Sequence, residues 1–427
     1  MSMTPGYRDA PYRSAINRVA VMVLTLAVCL SSFHVLRVAS QNLSYSDILF
    51  ALAAIMFIAI GRINLSPFRE LSPFWFGGLA LFISGLFFSS LMHNALDRWV
   101  IVASQYLFSY MLLPIVIMGQ DRQRIISLIK VFIVSVTLIE VVGVITVYSL
   151  SFTDANALWG PEFMAGNGRL GSFAGESNWN GLLIASTLPI LAYAIRTHLF
   201  PLIVSVPSMI ILLWALTLSA SFTGFTSALC AMTIFLVVSR TRPSPRIVAV
   251  VVMVVTALYL GGYQMPEVFQ KRVAGAYETG QLDEAGTFTD RARLMADAWK
   301  MADDTTFTGV GVSRFREIHP SGQPVHNMYL LVWNEGGLPA LIGWIMMVLI
   351  LIVLPLPVLR RHPAEAAVCC GVIFVFLAYT MASPHMFGRF WMVPLMLPLG
   401  LILTRPSVSA TQPVEDADDS ATRPIVP

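Results

Sequence analysis

A histidine and a carboxylate frame the point where a long polar stretch gives way to an apolar run. They lie in Pro324-Val-His326-Asn327-Met-Tyr329-Leu-Leu-Val-Trp-Asn-Glu335-Gly336-Gly337. An ionisable side chain at membrane depth is costly and is usually kept for a function. Histidine, with an ordinary pKa near 6.5, can take a proton at neutral pH, which suits a general base. The alternative for His326 is an interfacial ring hydrogen-bonded to a helix end, the reading given to His34, His93, His198, His319, His362 and His385. His326 stands apart because Asn327, Tyr329 and Glu335-Gly336-Gly337 surround it. Glu335 lies about two and a half helical turns further on, so an unbroken helix puts it on the opposite face. Only a break at Gly336-Gly337 brings the two together, and Glu335 reads as support or a structural contact.

Cations that could meet a phosphate come from Arg169, Arg291, Arg293 and Arg314. A guanidinium fork matches phosphate oxygens in pairs. Arg291 and Arg293 are roughly 200° apart around a helix, so a regular helix turns only one of them to a ligand. Arg169 sits among Gly166, Gly168 and Gly171, which let backbone approach a ligand closely, and Glu176 and Asn178 follow it. For each arginine the alternative is a solvated loop charge or a lipid-headgroup contact. Glu140 lies deep in an apolar run, where a carboxyl is protonated or hydrogen-bonded to another helix, and reads as structural glue. No outer-loop Asp-x-Asp and no Cys/His cluster occurs, so no metal and no cofactor is expected. Cys29, Cys230, Cys369 and Cys370 fall inside apolar runs and imply no disulfide framework.

The elements that must carry these residues are set by composition. Of 427 residues, 56% are hydrophobic and 12% charged, against roughly 25% charged in soluble domains. A span takes about 20 apolar residues. Apolar runs between polar breaks give twelve spans, near 19–38, 45–61, 73–93, 99–119, 125–150, 180–195, 200–219, 223–239, 247–263, 337–359, 366–383 and 389–404. The fold class is therefore all-α and polytopic, a single transmembrane domain over 1–404. Fifteen arginines, from Arg8 to Arg423, fall on one side; outside the longest loop only Arg37, Arg98, Arg169 and Arg389 fall on the other. The positive-inside rule then makes both termini cytoplasmic. The long segments 151–179 and 264–326 are extracytoplasmic, and the second is partly helical, with Thr289-Asp290 capping a helix. The tail 405–427 has the composition of a disordered cytoplasmic extension. Val38-Ala39-Ser40 resembles a signal cleavage site, but the apolar core before it is too long for one. Basic runs interleaved with aromatics are absent, so nucleic acid is not a partner.

In its motifs the chain resembles the integral-membrane O-antigen ligase/polymerase family, the Wzy- and WaaL-like proteins. The similar parts are Arg291 or Arg293 with Trp299, then Gly309-Val-Gly311 with Phe315, then His326-Asn327-x-Tyr329-Leu330, Glu335-Gly336-Gly337 and Gly343. Gly171-Ser-Phe173-x-Gly-Glu176-Ser-Asn178 is similar to the family's mid-chain outer loop. One departure is Leu218-Ser-Ala-Ser-Phe-Thr-Gly224, which lacks the arginine of the Ser-Arg pair that many members carry there. Its Ser and Thr are more similar to exopolysaccharide polymerases. The resemblance implies glycosyl transfer from a polyprenyl-diphosphate-linked oligosaccharide on the outer face of the bacterial inner membrane. It implies inversion at the anomeric carbon, with His326 as base, Arg169, Arg291, Arg293 and Arg314 among the groups on the diphosphate, and Glu176, Asn178, Asn327, Tyr329 and Glu335 on substrate. Membrane lipids, a flippase and a chain-length regulator of the same pathway are the implied partners.

The leading expectation is a polymerase joining lipid-linked repeat units into exopolysaccharide or O-antigen. A ligase passing glycan to lipid A core differs only in acceptor. A secondary transporter or lipid-linked sugar flippase also suits twelve spans. Against transport stand the long loop before His326, the lack of an internal repeat and the few charges within spans.

Overall fold

The computed structural model describes residues 9–37, 43–241, 265–281 and 288–404. The chain runs through α1 (Asp9–Leu30), α2 (Tyr45–Ala59), α3 (Ser72–Met92), α4 (Leu96–Ile117), α5 (Arg122–Ser149) and the short α6 (Phe152–Trp159). It continues through α7 (Ser177–Arg196), α8 (Leu202–Ser219), α9 (Phe222–Val238), α10 (Phe288–Asp304), α11 (Arg314–Ile318), α12 (Met328–Val353), α13 (Pro363–Thr380) and α14 (Arg389–Leu403). The fold is all-α, with no strand among the described residues. Six helices are long and apolar enough to cross a membrane, four further apolar helices are shorter, and α7 is buried along nearly its whole length. Exposed Met22, Ile55, Phe74, Phe88, Leu138, Ile203 and Val237 present an apolar outer surface, as lipid-facing helices must.

Eleven of the twelve expected spans coincide with helices among the described residues; 247–263 and the tail 405–427 lie outside them, as do Val38-Ala39-Ser40. Several boundaries shift, and the first helix already begins at Asp9. The first helix ends at Leu30 rather than near residue 38, because Ser31 turns its hydroxyl back onto Val28 O and the chain bends. The span expected from residue 337 begins at Met328. Asn327 starts it by accepting from the backbone N–H groups of Tyr329 (3.0 Å) and Leu330 (3.1 Å).

That helix, α12, breaks at Gly337, where φ is 67° and ψ −171°. Gly309-Val310-Gly311 lies across the break. Val310 N donates to Asn334 O (2.7 Å), Gly311 N to Glu335 O (3.1 Å), and Leu338 N to Thr306 O (2.8 Å). The strap thus satisfies the carbonyls that a broken helix frees, a requirement wherever backbone is away from water. A Cβ at Gly337 would fall 2.3 Å from Phe307 O, so glycine is required there on both counts.

Helices α3 and α12 approach so closely that backbone meets backbone. A Cβ on Gly343 would lie 2.4 Å from Gly78 O and 2.5 Å from Phe82 N. Small residues at such crossings give membrane helices their contact area. Overpacking costs about 1–3 kcal/mol even where side chains can yield, and here backbone would have to move. Gly343→Val is expected to exceed that range and to lower the thermal unfolding midpoint in detergent. Gly77→Val, where a Cβ meets nothing within 4 Å, should leave the midpoint nearly unchanged. Equal midpoints for the two variants would remove this account of the crossing.

Ion pairs fix the two ends of the bundle. At one end Arg122 reaches Glu365 (2.5 Å) and donates to Leu401 O (3.1 Å), joining α5, α13 and α14. At the other, Arg389 forms a buried two-point pair with Asp47 and donates to Gln105 Oε1 (2.6 Å), joining α14, α2 and α4.

Candidate functional site

The 160–176 loop and the segment after residue 265 meet at the same end of the bundle. A tight turn carries Arg169: Ala165 N donates to Arg169 O (2.8 Å) and Gly171 N to Phe163 O (2.8 Å), while Leu170 N donates to Leu218 O (3.0 Å). Gly171 serves this turn rather than a ligand, since a Cβ there would lie 2.2 Å from Glu162 O. Held so, Arg169 is buried; its Nε donates to Ser219 O (2.8 Å) and its Nη2 to Asn178 Oδ1 (2.8 Å). Leu218–Gly224, which has no arginine of its own, therefore receives a guanidinium from elsewhere in the chain.

Glu176 caps α7, accepting from Asn178 N (3.1 Å), Trp179 N (3.2 Å) and Asn178 Nδ2 (2.7 Å). Asn178 thus links Glu176 to Arg169. Tyr379 Oη donates to Asn178 O (2.9 Å), and Ser221 Oγ to Asn178 Oδ1 (3.2 Å). The network ties the starts of α7 and α9 to the end of α13, and its rigidity follows from its burial.

Charge gathers on this frame. Burial lowers the pKa of Arg169 to about 10, with Arg272 and Arg291 pushing the same way and Glu176 opposing them. Burial lowers Arg272 as well, with Arg291 adding to it, and lowers Arg291 against the pull of Glu176. Three guanidiniums and one carboxylate therefore share one neighbourhood, where burial raises the pKa of Glu176 against the pull of Asn178 and Arg169. The surplus is positive and suits a multiply charged anion.

His326 lies beside Arg291. Burial first, and the Arg291 charge second, lower its pKa to about 4, so the ring is neutral at pH 7. It lines a cavity of about 400 Å³ together with Asp290, Arg291, Arg293, Asp297 and His319. Both Arg291 and Arg293 reach this cavity. Their opposed positions on α10 did not separate them, because long side chains reach around the helix's first turn; Arg293 is exposed and Arg291 half-buried.

The remaining candidates are held otherwise. Arg314 pairs with Glu317 (3.0 Å) on α11 and lies outside this set. Glu335 is buried and accepts from Ser313 N (2.9 Å), tying the segment after the strap to α12. Asn327 spends its Oδ1 on the helix start, and its Nδ2 faces the sulfurs of Met295 (4.0 Å) and Met381 (3.9 Å). Tyr329 Oη accepts from Thr380 Oγ1 (3.4 Å). His319 stacks on Phe315 and contacts Asp297 (3.3 Å) and Ser321 (2.7 Å). Glu140 meets Asn180 Nδ2 (3.3 Å), bridging α5 and α7. Among the described residues no group of three or more His, Cys, Asp or Glu is placed to hold a metal.

Sequence reading missed Arg272, Ser219, Ser221 and Tyr379. Arg272 carries no motif, and its only signal is a position in the same outer segment as Arg291. The carbonyl of Ser219 and the hydroxyl of Tyr379 give no sequence signal at all.

A family model described as O-antigen ligase matches residues 207–345, from within α8 to within α12. The stretch contains Arg272, Arg291, His326 and Glu335, but not Arg169, Glu176 or Asn178. No curated protein matches the chain. Glycosyltransferase-like function on lipid-linked glycans goes with that family, and the apolar helices accord with a multi-pass membrane protein. Over residues 207–345 this match supports the O-antigen ligase/polymerase family.

Proposed function

We propose that the protein polymerises polyprenyl-diphosphate-linked oligosaccharide repeat units into exopolysaccharide or O-antigen. The reaction lies on the outer face of the bacterial inner membrane, with both termini cytoplasmic. The observation that carries the reading is the convergence of Arg169, Arg272 and Arg291 beside a neutral His326. In this reading the guanidiniums hold the diphosphate and stabilise the charge that grows on it as it leaves. His326 takes the proton of the acceptor hydroxyl, whose oxygen forms the new bond to the anomeric carbon. The carbon–oxygen bond to phosphate breaks on the opposite side, so the configuration inverts. The leaving group is already activated, and no nucleotide enters the scheme. Glu176 and Asn178 act by fixing Arg169.

Polymerisation rather than ligation is supported by the Ser- and Thr-bearing stretch Leu218–Gly224. The description of the matching family favours the second reading, a ligase delivering glycan to lipid A core. Purified protein in nanodiscs, given lipid-linked repeat units alone, is expected to lengthen the glycan. Transfer that occurs only after lipid A core is added would make the protein a ligase. Transbilayer movement of the donor with no new glycosidic bond would make it a transporter.

A further inference from the structure

We propose that a second cavity, between the start of α7 and the α13–α14 loop, is a subsite for one uncharged sugar ring of the acceptor glycan. The acceptor assignment rests on the glycosyl-transfer reading above. The cavity measures about 270 Å³ and is lined by Trp179, Phe387, Trp391, His34, Gln105 and Ser383, among others. This is the small end of the range of about 300–1,000 Å³ for ligand pockets, room for one ring rather than an oligosaccharide.

The lining has the two features a pyranose needs. Its aromatic rings offer flat apolar surface to the C–H face of a sugar: Trp179 lies 5.5 Å from Phe390 and 5.9 Å from Trp391 between centroids, and His34 stands edge-on to Trp179 at 5.3 Å. Ser383 and the two imidazoles of His34 and His385 offer uncharged hydrogen-bonding groups for hydroxyls, while Gln105 gives its Oε1 to Arg389.

Two guanidiniums, those of Arg37 and Arg389, line this cavity, and both are engaged by neighbouring side chains. Arg389 is committed to Asp47. Arg37 at the rim donates from Nη2 to His34 Nε2 (2.6 Å), which leaves the imidazole proton on Nδ1. Burial, reinforced by Arg37 and Arg389, lowers His34 to about 3, and burial with Arg98 lowers His385 to about 4; both rings are neutral at pH 7. A neutral polar guest with apolar faces fits this environment better than a second phosphate.

Its place in the fold is also specific. Trp179 follows Asn178, which holds Arg169. Ser383 follows Met381 by two residues, and the Met381 sulfur faces Asn327, the neighbour of His326, at 3.9 Å. The cavity thus shares its chain segments with residues that hold Arg169 and that face Asn327. Its far wall is fixed by the π-helical turn of α4, where Ser109 Oγ donates to Phe387 O (2.5 Å) and Tyr110 Oη to Met386 O. All of the lining lies outside the family-matched residues 207–345, so acceptor choice is set by parts of the chain that the family match does not describe.

The test is saturation-transfer NMR on the full chain in nanodiscs, with methyl glycosides of glucose, galactose, mannose and rhamnose as probes. Transfer to the ring C–H protons of at least one glycoside is expected, and it should fall at least fivefold in Trp179→Leu. Ser383→Trp, which fills the cavity, should abolish it; where Trp179→Leu lowers the melting temperature, this variant is read alone. No transfer from wild type to any glycoside, or undiminished transfer in Ser383→Trp, would overturn the subsite. In steady state, whichever variant keeps the wild-type melting temperature should raise the KM for acceptor at least tenfold and leave the KM for the lipid-linked donor unchanged. A rise in donor KM instead would overturn the acceptor assignment. Wild-type protein that binds the glycosides but forms no glycosidic bond would keep the sugar site and remove the catalytic reading, so the two failures are distinct.

Discussion

His326→Ala is expected to abolish visible polymer while protein level and donor binding stay near wild type. General-base catalysis contributes about 10²–10⁴-fold in rate, and a loss of that size leaves lipid-linked single repeats to accumulate. The histidine also has a pH signature. Burial and the Arg291 charge lower it to about 4, which makes it a weak base at neutral pH. A bound diphosphate offsets the charge of Arg291 and its neighbours, so the pKa rises when donor is present. The base limb of kcat/KM, which reports the free protein, should therefore fall near pH 4. The limb of kcat, which reports the complex, should lie at higher pH. His319→Ala should be nearly silent, because that ring contacts Asp297 and Ser321 on the loop. A His326→Ala protein that polymerises at near wild-type rate from purified donor would show that His326 is structural.

Arg291→Ala and Arg272→Ala are each expected to cost about 10²–10³ in kcat, the usual loss when a donor to developing charge is removed. Arg169→Ala should lose at least as much, because the hydrogen bonds to Ser219 O and Asn178 Oδ1 go together with the charge. Arg169→Lys separates those effects: it restores a cation but not the two-point hold on the frame, and should recover only part of the rate. Arg314→Ala, which removes a pairing with Glu317 on α11, should change the rate less than tenfold. Steady-state assays with lipid-linked donor, on variants recovered from the membrane at wild-type levels, decide this. If the three cluster variants keep normal rates, the diphosphate is held elsewhere and the assignment of this site fails.

By itself the sequence determined the helices. Apolar run length, arginine distribution and breaks such as the polar stretch before His326 set the all-α architecture and most helix boundaries. These are local properties, since each segment must satisfy its own backbone wherever water is absent. It also offered His326, Arg169, Arg291, Arg293 and Arg314 by residue type, and Glu176 and Asn178 by resemblance. What it could not give was which of those side chains share a neighbourhood. Residues 169, 272, 291 and 326 are brought together only by the packing of a glycine-pinned loop against the end of α8 and of the outer segment against the bundle. In sequence Gly336-Gly337 reads as a place where a helix can break and Gly309-Val-Gly311 only as a motif; in the fold the second is the strap that satisfies the break made at the first. The missing arginine at Leu218–Gly224 could not be judged from that stretch, because the guanidinium that docks on Ser219 O comes from 50 residues earlier. Proximity between distant segments is decided by tertiary packing, and a charge cluster exists only once that packing has removed the water between its members.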